Sequence, residues 1–181
     1  PRAGEYSLSL SDGTRVWLNS DSEIRYPVAF GKDRRTVFLS GEAYFEVEKD
    51  AERPFYVVLD GMEVKVYGTS FNVNTHYQGK ILTTLVEGKV GIRVKSTGAE
   101  SILQPNQMAE FNREKEEVEV TDVDTYYYTA WRAGEFVFQN ETIEEIMDRL
   151  CRWYDMEVFY ANNDVRGKRF TGVIARFTNV A

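Results

Sequence analysis

Asp60-Gly61-Met62-Glu63-Val64-Lys65-Val66-Tyr67-Gly68 reads as one strand held between two turns. Met62, Val64 and Val66 alternate with Glu63 and Lys65, the period of two that sends one row of side chains to a core and the other to water. Asp60-Gly61 and Gly68 punctuate it, because glycine takes positive φ cheaply and Asp closes a turn on its own backbone. The same pattern extends from about residue 5 to residue 122. Val16 and Leu18, Phe45 and Val47, Val90, Ile92 and Val94, then Val118 and Val120 all alternate with polar residues. Ser11-Asp12-Gly13, Gly41, Glu87-Gly88 and Pro105-Asn106 mark turns between them. Short strands at this spacing predict an all-β sandwich, barrel or solenoid. Leu39-Ser40-Gly41-Glu42 and Leu85-Val86-Glu87-Gly88 are related phrases, too irregularly spaced for a strict repeat.

After about residue 123 the period changes. Phe136 and Phe138 alternate as a strand, and Thr142-Ile143-Glu144-Glu145 reads as a capping box. Ile143, Ile146, Met147, Leu150 and Tyr154 then recur at helical spacing. Met156, Val158 and Tyr160 predict a returning strand, and Asn162-Asn163-Asp164 a turn leading to Phe170-Thr171-Gly172. The expected organisation is mainly β: an all-β sandwich or solenoid-like domain over residues 1–122, followed by a small α+β, βαβ-like domain over 123–181. No second helix follows the last strands, so this domain is expected to be partial, with native residues beyond 181. The chain also opens on Pro1, not Met, which predicts a fragment whose targeting segment was left off.

Composition narrows the function classes. In 181 residues, 22 Lys and Arg face 29 Asp and Glu, a net charge of −7, and the chain has one His and one Cys. An acidic chain has little electrostatic hold on a phosphate backbone, so no nucleic-acid partner is expected. A single His and a single Cys cannot build the usual zinc site or an intrachain disulfide, and no metal or cofactor is expected. Hydrophobic residues make up 43% of the chain, enough for a core. Its longest aliphatic run, around Tyr56-Val57-Val58-Leu59, is far short of the roughly 20 apolar residues that cross a bilayer.

Candidate chemistry is sparse. Glycosidase carboxylates stand roughly 5–10 Å apart. Glu42 and Glu46 would lie about 13 Å apart along a strand, and Glu46 and Glu48 about 6.6 Å. Only the second pair fits, and two solvated carboxylates beside Lys49 at the charged end of a strand explain it better. No Gly-x-Ser-x-Gly elbow, P-loop or dinucleotide fingerprint occurs. His76 reads as a satisfied loop histidine and Cys151 as a small core residue. Asn140-Glu141-Thr142 matches a glycosylation sequon, but Thr142 is better used as a helix cap. Trp17, Trp131, Trp153 and Tyr126-Tyr127-Tyr128 suit either sugar stacking, a protein interface, or ordinary packing. No catalytic residues are assigned, and the chain is expected not to be an enzyme.

Ordered motifs add a resemblance. Leu10-Ser11-Asp12-Gly13-Thr14-Arg15-Val16-Trp17-Leu18-Asn19, with Ser22 and Tyr26-Pro27, resembles the opening of the FecR domain. Arg35-Thr36-Val37-Phe38-Leu39-Ser40-Gly41-Glu42-Ala43-Tyr44-Phe45-Glu46-Val47, Arg53-Pro54-Phe55 and Gly68-Thr69-Ser70-Phe71-Asn72-Val73 continue it. Thr84-Leu85-Val86-Glu87-Gly88-Lys89-Val90 and Leu103-Gln104-Pro105-Asn106-Gln107 complete the series. Trp131-Arg132-Ala133-Gly134-Glu135-Phe136-Val137-Phe138, Arg152-Trp153-Tyr154-Asp155 and Arg169-Phe170-Thr171-Gly172 look like the start of the C-terminal domain that follows FecR in Bacteroidetes regulators. That domain is similar to the short secretin/TonB N-terminal fold. In this pattern Gly13, Gly41, Gly68 and Gly88 look like turn positions, and Trp17, Phe45, Phe55 and Phe71 look like core.

The resemblance implies a transmembrane anti-sigma factor seen through its periplasmic region, the rest being a single inner-membrane helix and a cytoplasmic segment that holds an extracytoplasmic-function sigma factor. The implied partner is the N-terminal signalling domain of an outer-membrane TonB-dependent transporter. An extended segment of that partner could add to an exposed strand. The candidate strands run over residues 135–139 and 169–174, with Glu135, Phe136, Val137, Arg169, Phe170 and Thr171 as partner-binding residues. The alternative is a carbohydrate-binding module using Trp17 and Trp131; a hydrolase built on Glu46 and Glu48 ranks last.

Overall fold

A computed structural model describes residues 4–176. Thirteen strands form the first part: β1 (Tyr6–Ser9), β2 (Arg15–Leu18), β3 (Glu23–Arg25), β4 (Arg35–Ser40), β5 (Glu42–Glu46), β6 (Phe55–Val58), β7 (Met62–Val66), β8 (Ser70–Asn74), β9 (Lys80–Glu87), β10 (Val90–Val94), β11 (Glu100–Leu103), β12 (Gln107–Asn112) and β13 (Glu117–Asp122). The opening stretch is β7, entered through a turn in which Leu59 N–H donates to the Met62 carbonyl and Gly61 takes φ +79°.

The strands stack as two sheets, a sandwich and not a solenoid. One has seven strands in the order β1-β2-β5-β8-β9-β12-β13; the other has six, in the order β11-β10-β7-β6-β4-β3. All neighbours are antiparallel except β4 and β6, which run parallel. The inward rows meet in one core in which Phe45 and Phe71 stack at 5.1 Å and Val37, Phe55, Val64, Leu85 and Ile92 are buried. At Gly41 the chain crosses from the six-stranded sheet to the seven-stranded one at φ +99°, where a Cβ would come within 2.6 Å of Ser22 Cα. Trp17 departs from its expected place in this core. Val16 and Leu18 point inward, so the pleat turns the indole between them to the outer face of the seven-stranded sheet.

A buried ion pair closes one end of the sandwich. The Arg35 side chain is 0% exposed and its Nη1 donates to Asp12 Oδ2 and to the Glu48 carbonyl, each at 2.8 Å. Its Nε donates to the Arg53 carbonyl at 3.0 Å. Asp12 also accepts from the Thr14 backbone and hydroxyl. Three stretches distant in sequence are thereby tied at one guanidinium.

The second part holds a short helix α1 (Tyr126–Thr129), a 3-10 turn (Ala130–Ala133), β14 (Glu135–Thr142), α2 (Ile143–Tyr154), a second 3-10 turn (Asn163–Val165) and β15 (Arg169–Ala175). The capping box forms as expected: Glu145 N–H donates to Thr142 Oγ1 at 3.2 Å, and Thr142 N–H to Glu145 Oε2 at 2.8 Å. Phe136 and Phe138 on β14 pack under Ile146 and Trp153 of α2. The βαβ expectation needs correction in one element. Residues 156–160 join no ladder, and the strand beside β14 is β15, which runs antiparallel with Phe136 opposite Ile174 and Phe138 opposite Gly172. Alternation at Met156, Val158 and Tyr160 gives a strand pattern but supplies no neighbour to bond with.

Asp12→Ala removes the counterion of a buried guanidinium, and a loss of about 3–5 kcal/mol is expected in urea unfolding; a loss under about 1 kcal/mol would show that water reaches Arg35.

Candidate functional site

Alternation alone would leave the outer face of the seven-stranded sheet polar and wet, yet its centre is dry. One transverse row on this face runs Trp17, Tyr44, Asn72, Thr84 and Met108, each opposite the next across the ladders. Tyr44, Asn72 and Thr84 are buried, and the 130–133 turn reaches this row at Tyr44 and Asn72. The Trp131 indole, 3% exposed, donates from Nε1 to Asn72 Oδ1 at 3.1 Å. The Arg132 guanidinium stands 3.8 Å from the Tyr44 ring centre and 4.3 Å from that of Trp17, and donates to Glu46 Oε1 at 3.1 Å. Arg15 pairs with the other oxygen of Glu46.

Behind this row lies a buried polar network. The Glu42 carboxylate, 9% exposed, accepts from Asn19 Nδ2 at 2.6 Å and from Asn72 Nδ2 at 3.0 Å. Both amides spend Nδ2 on Glu42 and keep Oδ1 as acceptor: Asn72 Oδ1 accepts from Trp131, and Asn19 Oδ1 accepts from the Ser20 N–H at 2.9 Å and from Arg176 Nη1 at 3.0 Å. Arg176, 3% exposed, follows β15 and sits among the rings of Phe136 and Trp153, 4.5 and 4.4 Å from their centres. Burial lowers its pKa to about 10, so it remains cationic at neutral pH. Tyr154 donates from its hydroxyl to the Arg176 carbonyl at 3.1 Å. Each hydrogen bond in such a dry network is expensive to leave unmade, about 1–3 kcal/mol per orphaned group.

Beside the network a cleft of about 500 Å³ separates the sheet from α2, lined among others by His76, Tyr77, Tyr128, Glu141, Arg149 and Arg152. Arg149 spans both oxygens of Glu141 at 2.9 and 3.0 Å and also donates to the Val137 carbonyl at 3.1 Å. His76 Nε2 lies 3.2 Å from the Ser20 carbonyl, which fixes the proton on that nitrogen. Burial first, and the Arg152 charge second, hold the His76 pKa below its ordinary value, outweighing Glu42 and Asp21. Burial likewise raises Tyr77 and lowers Arg152.

The expected site residues fall on two sides of this arrangement. Phe136 and Val137 are buried in β14, and Glu135 accepts from the Tyr126 hydroxyl at 2.7 Å. Arg169, Phe170 and Thr171 are exposed on β15, whose second edge pairs with no strand among the described residues. Trp131 and Trp153 are buried and Trp17 is covered by Arg132, an arrangement that offers a sugar no open indole face. Glu46 bridges two guanidiniums. Cys151 is a half-buried free thiol, not a full core residue. Asn19, Glu42, Asn72 and Arg176 escaped the sequence reading as a group; the available signal was that outward positions of β5 and β8 carry a carboxylate and an amide where Lys or Arg would be ordinary.

Comparison with known proteins agrees with this architecture. The profile of the family described as FecR protein matches residues 2–91, and that described as FecR, C-terminal matches residues 135–181. Two crystal structures of a "putative anti-sigma factor" from Parabacteroides distasonis ATCC 8503, at 1.65 and 2.50 Å, superpose with a TM-score of 0.87 at 30% identity. They cover 98% of this chain and 84% and 83% of theirs. No curated protein sequence matches.

Because the folded His76 pKa lies below the unfolded value near 6.5, its contribution to stability is complete above that pH and is lost as pH falls toward the folded value. Urea midpoints at pH 7.5 and 5.5 should differ more for the wild type than for His76→Gln; equal differences would place the imidazole in solvent.

Proposed function

The chain belongs to the FecR family of anti-sigma factors, and from that membership we propose that it is the signal-receiving region of such a regulator, exposed to the periplasm. The signal comes from the N-terminal domain of an outer-membrane TonB-dependent transporter. A membrane helix and a cytoplasmic sigma-binding segment lie outside these 181 residues. Among the described residues no helix is long and apolar enough to cross a membrane.

The observation that carries the reading is the unequal dress of the C-terminal sheet. β14 is buried at Phe136, Val137 and Phe138, whereas β15 is exposed along its whole length, with Phe170 52% and Val173 56% exposed. α2 covers the β14 half of the shared face and leaves the β15 half, Phe170 and Ile174, uncovered. A strand with a free edge and apolar side chains suits addition of an extended partner segment, main-chain bonds giving affinity and side chains giving choice. Of the six candidate residues, Arg169, Phe170 and Thr171 are therefore the contact half, whereas Glu135, Phe136 and Val137 pair with Ala175, Ile174 and Val173 and hold the far end of the same strand.

β15 ends at Ala175, so a partner on Arg169–Thr171 would hold the strand that runs directly into Arg176, the group that reaches Asn19 in the sandwich. Occupation of that edge can thus be felt at the sheet through one side chain.

The purified chain should bind the signalling domain of a transporter encoded beside its gene, measured by isothermal titration. Phe170→Asp should weaken binding about tenfold or more. Absence of binding by the folded wild-type chain, or equal binding by the variant, would count against the reading.

A further inference from the structure

On the sandwich's other sheet, away from the C-terminal part, a groove of about 1070 Å³ follows the edge formed by β3 and β4. β3 is only three residues long and meets β4 with Glu23 opposite Ser40 and Arg25 opposite Phe38. The same register carried two residues further would set Pro27 against Thr36. Proline has no N–H to donate, so the ladder cannot continue, and the chain leaves through residues 26–34. Arg35 N–H donates to the Pro54 carbonyl on the β6 side. Successive strand residues turn their polar groups to opposite edges, so Thr36 presents its N–H and carbonyl to the place β3 has vacated. Its buried Oγ1 has no hydrogen-bond partner among the described residues.

The walls and lip add two further features. Phe38 is 53% exposed, Tyr26 is 47% exposed, and both line the groove with Phe30. Arg25 is met by Glu23, whereas Lys32 and Arg34 flank the groove with only Asp33 of opposite sign between them and form no ion pair among the described residues. In a chain of net charge −7 this lip carries a net positive charge.

We propose that this groove is a second docking site, which seats an extended apolar and acidic peptide segment of a partner protein. The segment supplies the missing rung at Thr36, sets an apolar side chain on Phe38 and Tyr26, and brings a carboxylate to Lys32 and Arg34. The surface lies on the six-stranded sheet and β15 stands beyond the seven-stranded one, so occupation of one leaves the other open.

The test is display selection of short random peptides on the full chain, counter-selected on Phe38→Asp, followed by titration of the selected synthetic peptide. Phe38 and the loop charges are on the surface, and circular dichroism checks that the variants fold. Enriched sequences should alternate apolar and acidic residues, and their affinity should fall about tenfold in Phe38→Asp and again in Lys32→Glu/Arg34→Glu. Enrichment of basic sequences, binding indifferent to both variants, or no enrichment over the counter-selection would each overturn the proposal.

Discussion

The Glu42 carboxylate is buried on what strand alternation makes the outer face of a sheet, and a buried charge is tolerable only with its hydrogen bonds made. Asn19 and Asn72 satisfy it from within the sandwich. That leaves Asn72 Oδ1 in need of a donor and Asn19 Oδ1, which already accepts from the Ser20 N–H, with room for a second. Trp131 and Arg176, 59 and 157 positions away from their respective partners, are those donors. The C-terminal part is thereby tied to the sheet through one buried polar network of Asn19, Glu42 and Asn72. The aromatic cover over Tyr44 and Trp17 and the packing of Arg176 among Phe136 and Trp153 are built around that network.

This arrangement gives a FecR-family regulator a mechanical property that suits a receiver. The sandwich is closed by its own core and by the Arg35–Asp12 pair. The smaller part has a core cluster of four buried residues, Phe136, Phe138, Ile146 and Trp153, and keeps one strand exposed. Its attachment is polar and directional, so it is sensitive to small displacements in a way that an apolar contact of similar size would not be. The cationic Arg176, following the exposed strand, joins its edge to the docked face.

Much of the sandwich was legible from residues alone. Met62, Val64 and Val66 alternate because one face of β7 meets the core, and the turn glycines at 41, 61, 68 and 88 do take positive φ. The Thr142 capping box was equally local, needing only residues three apart. What was not legible depended on contacts across the chain. Trp17 is core in the pattern the FecR resemblance implies, although Val16 and Leu18 on either side of it claim the inward positions. Residues 156–160 carry a strand pattern without a partner strand, and pairing is not written in periodicity. Glu42, Asn72 and Asn19 look like solvent-facing residues until Trp131 and Arg176 arrive over them.

The central claim is that the C-terminal part is fixed to the sheet as one body, and backbone ¹⁵N relaxation tests it most directly. The amides of β5 and β8 and those of β14 and α2 should give one rotational correlation time, with the Trp131 indole N–H protected from exchange. A shorter correlation time for β14 and α2, with rapid exchange at that indole, would mean that the two parts move independently and would contradict the account.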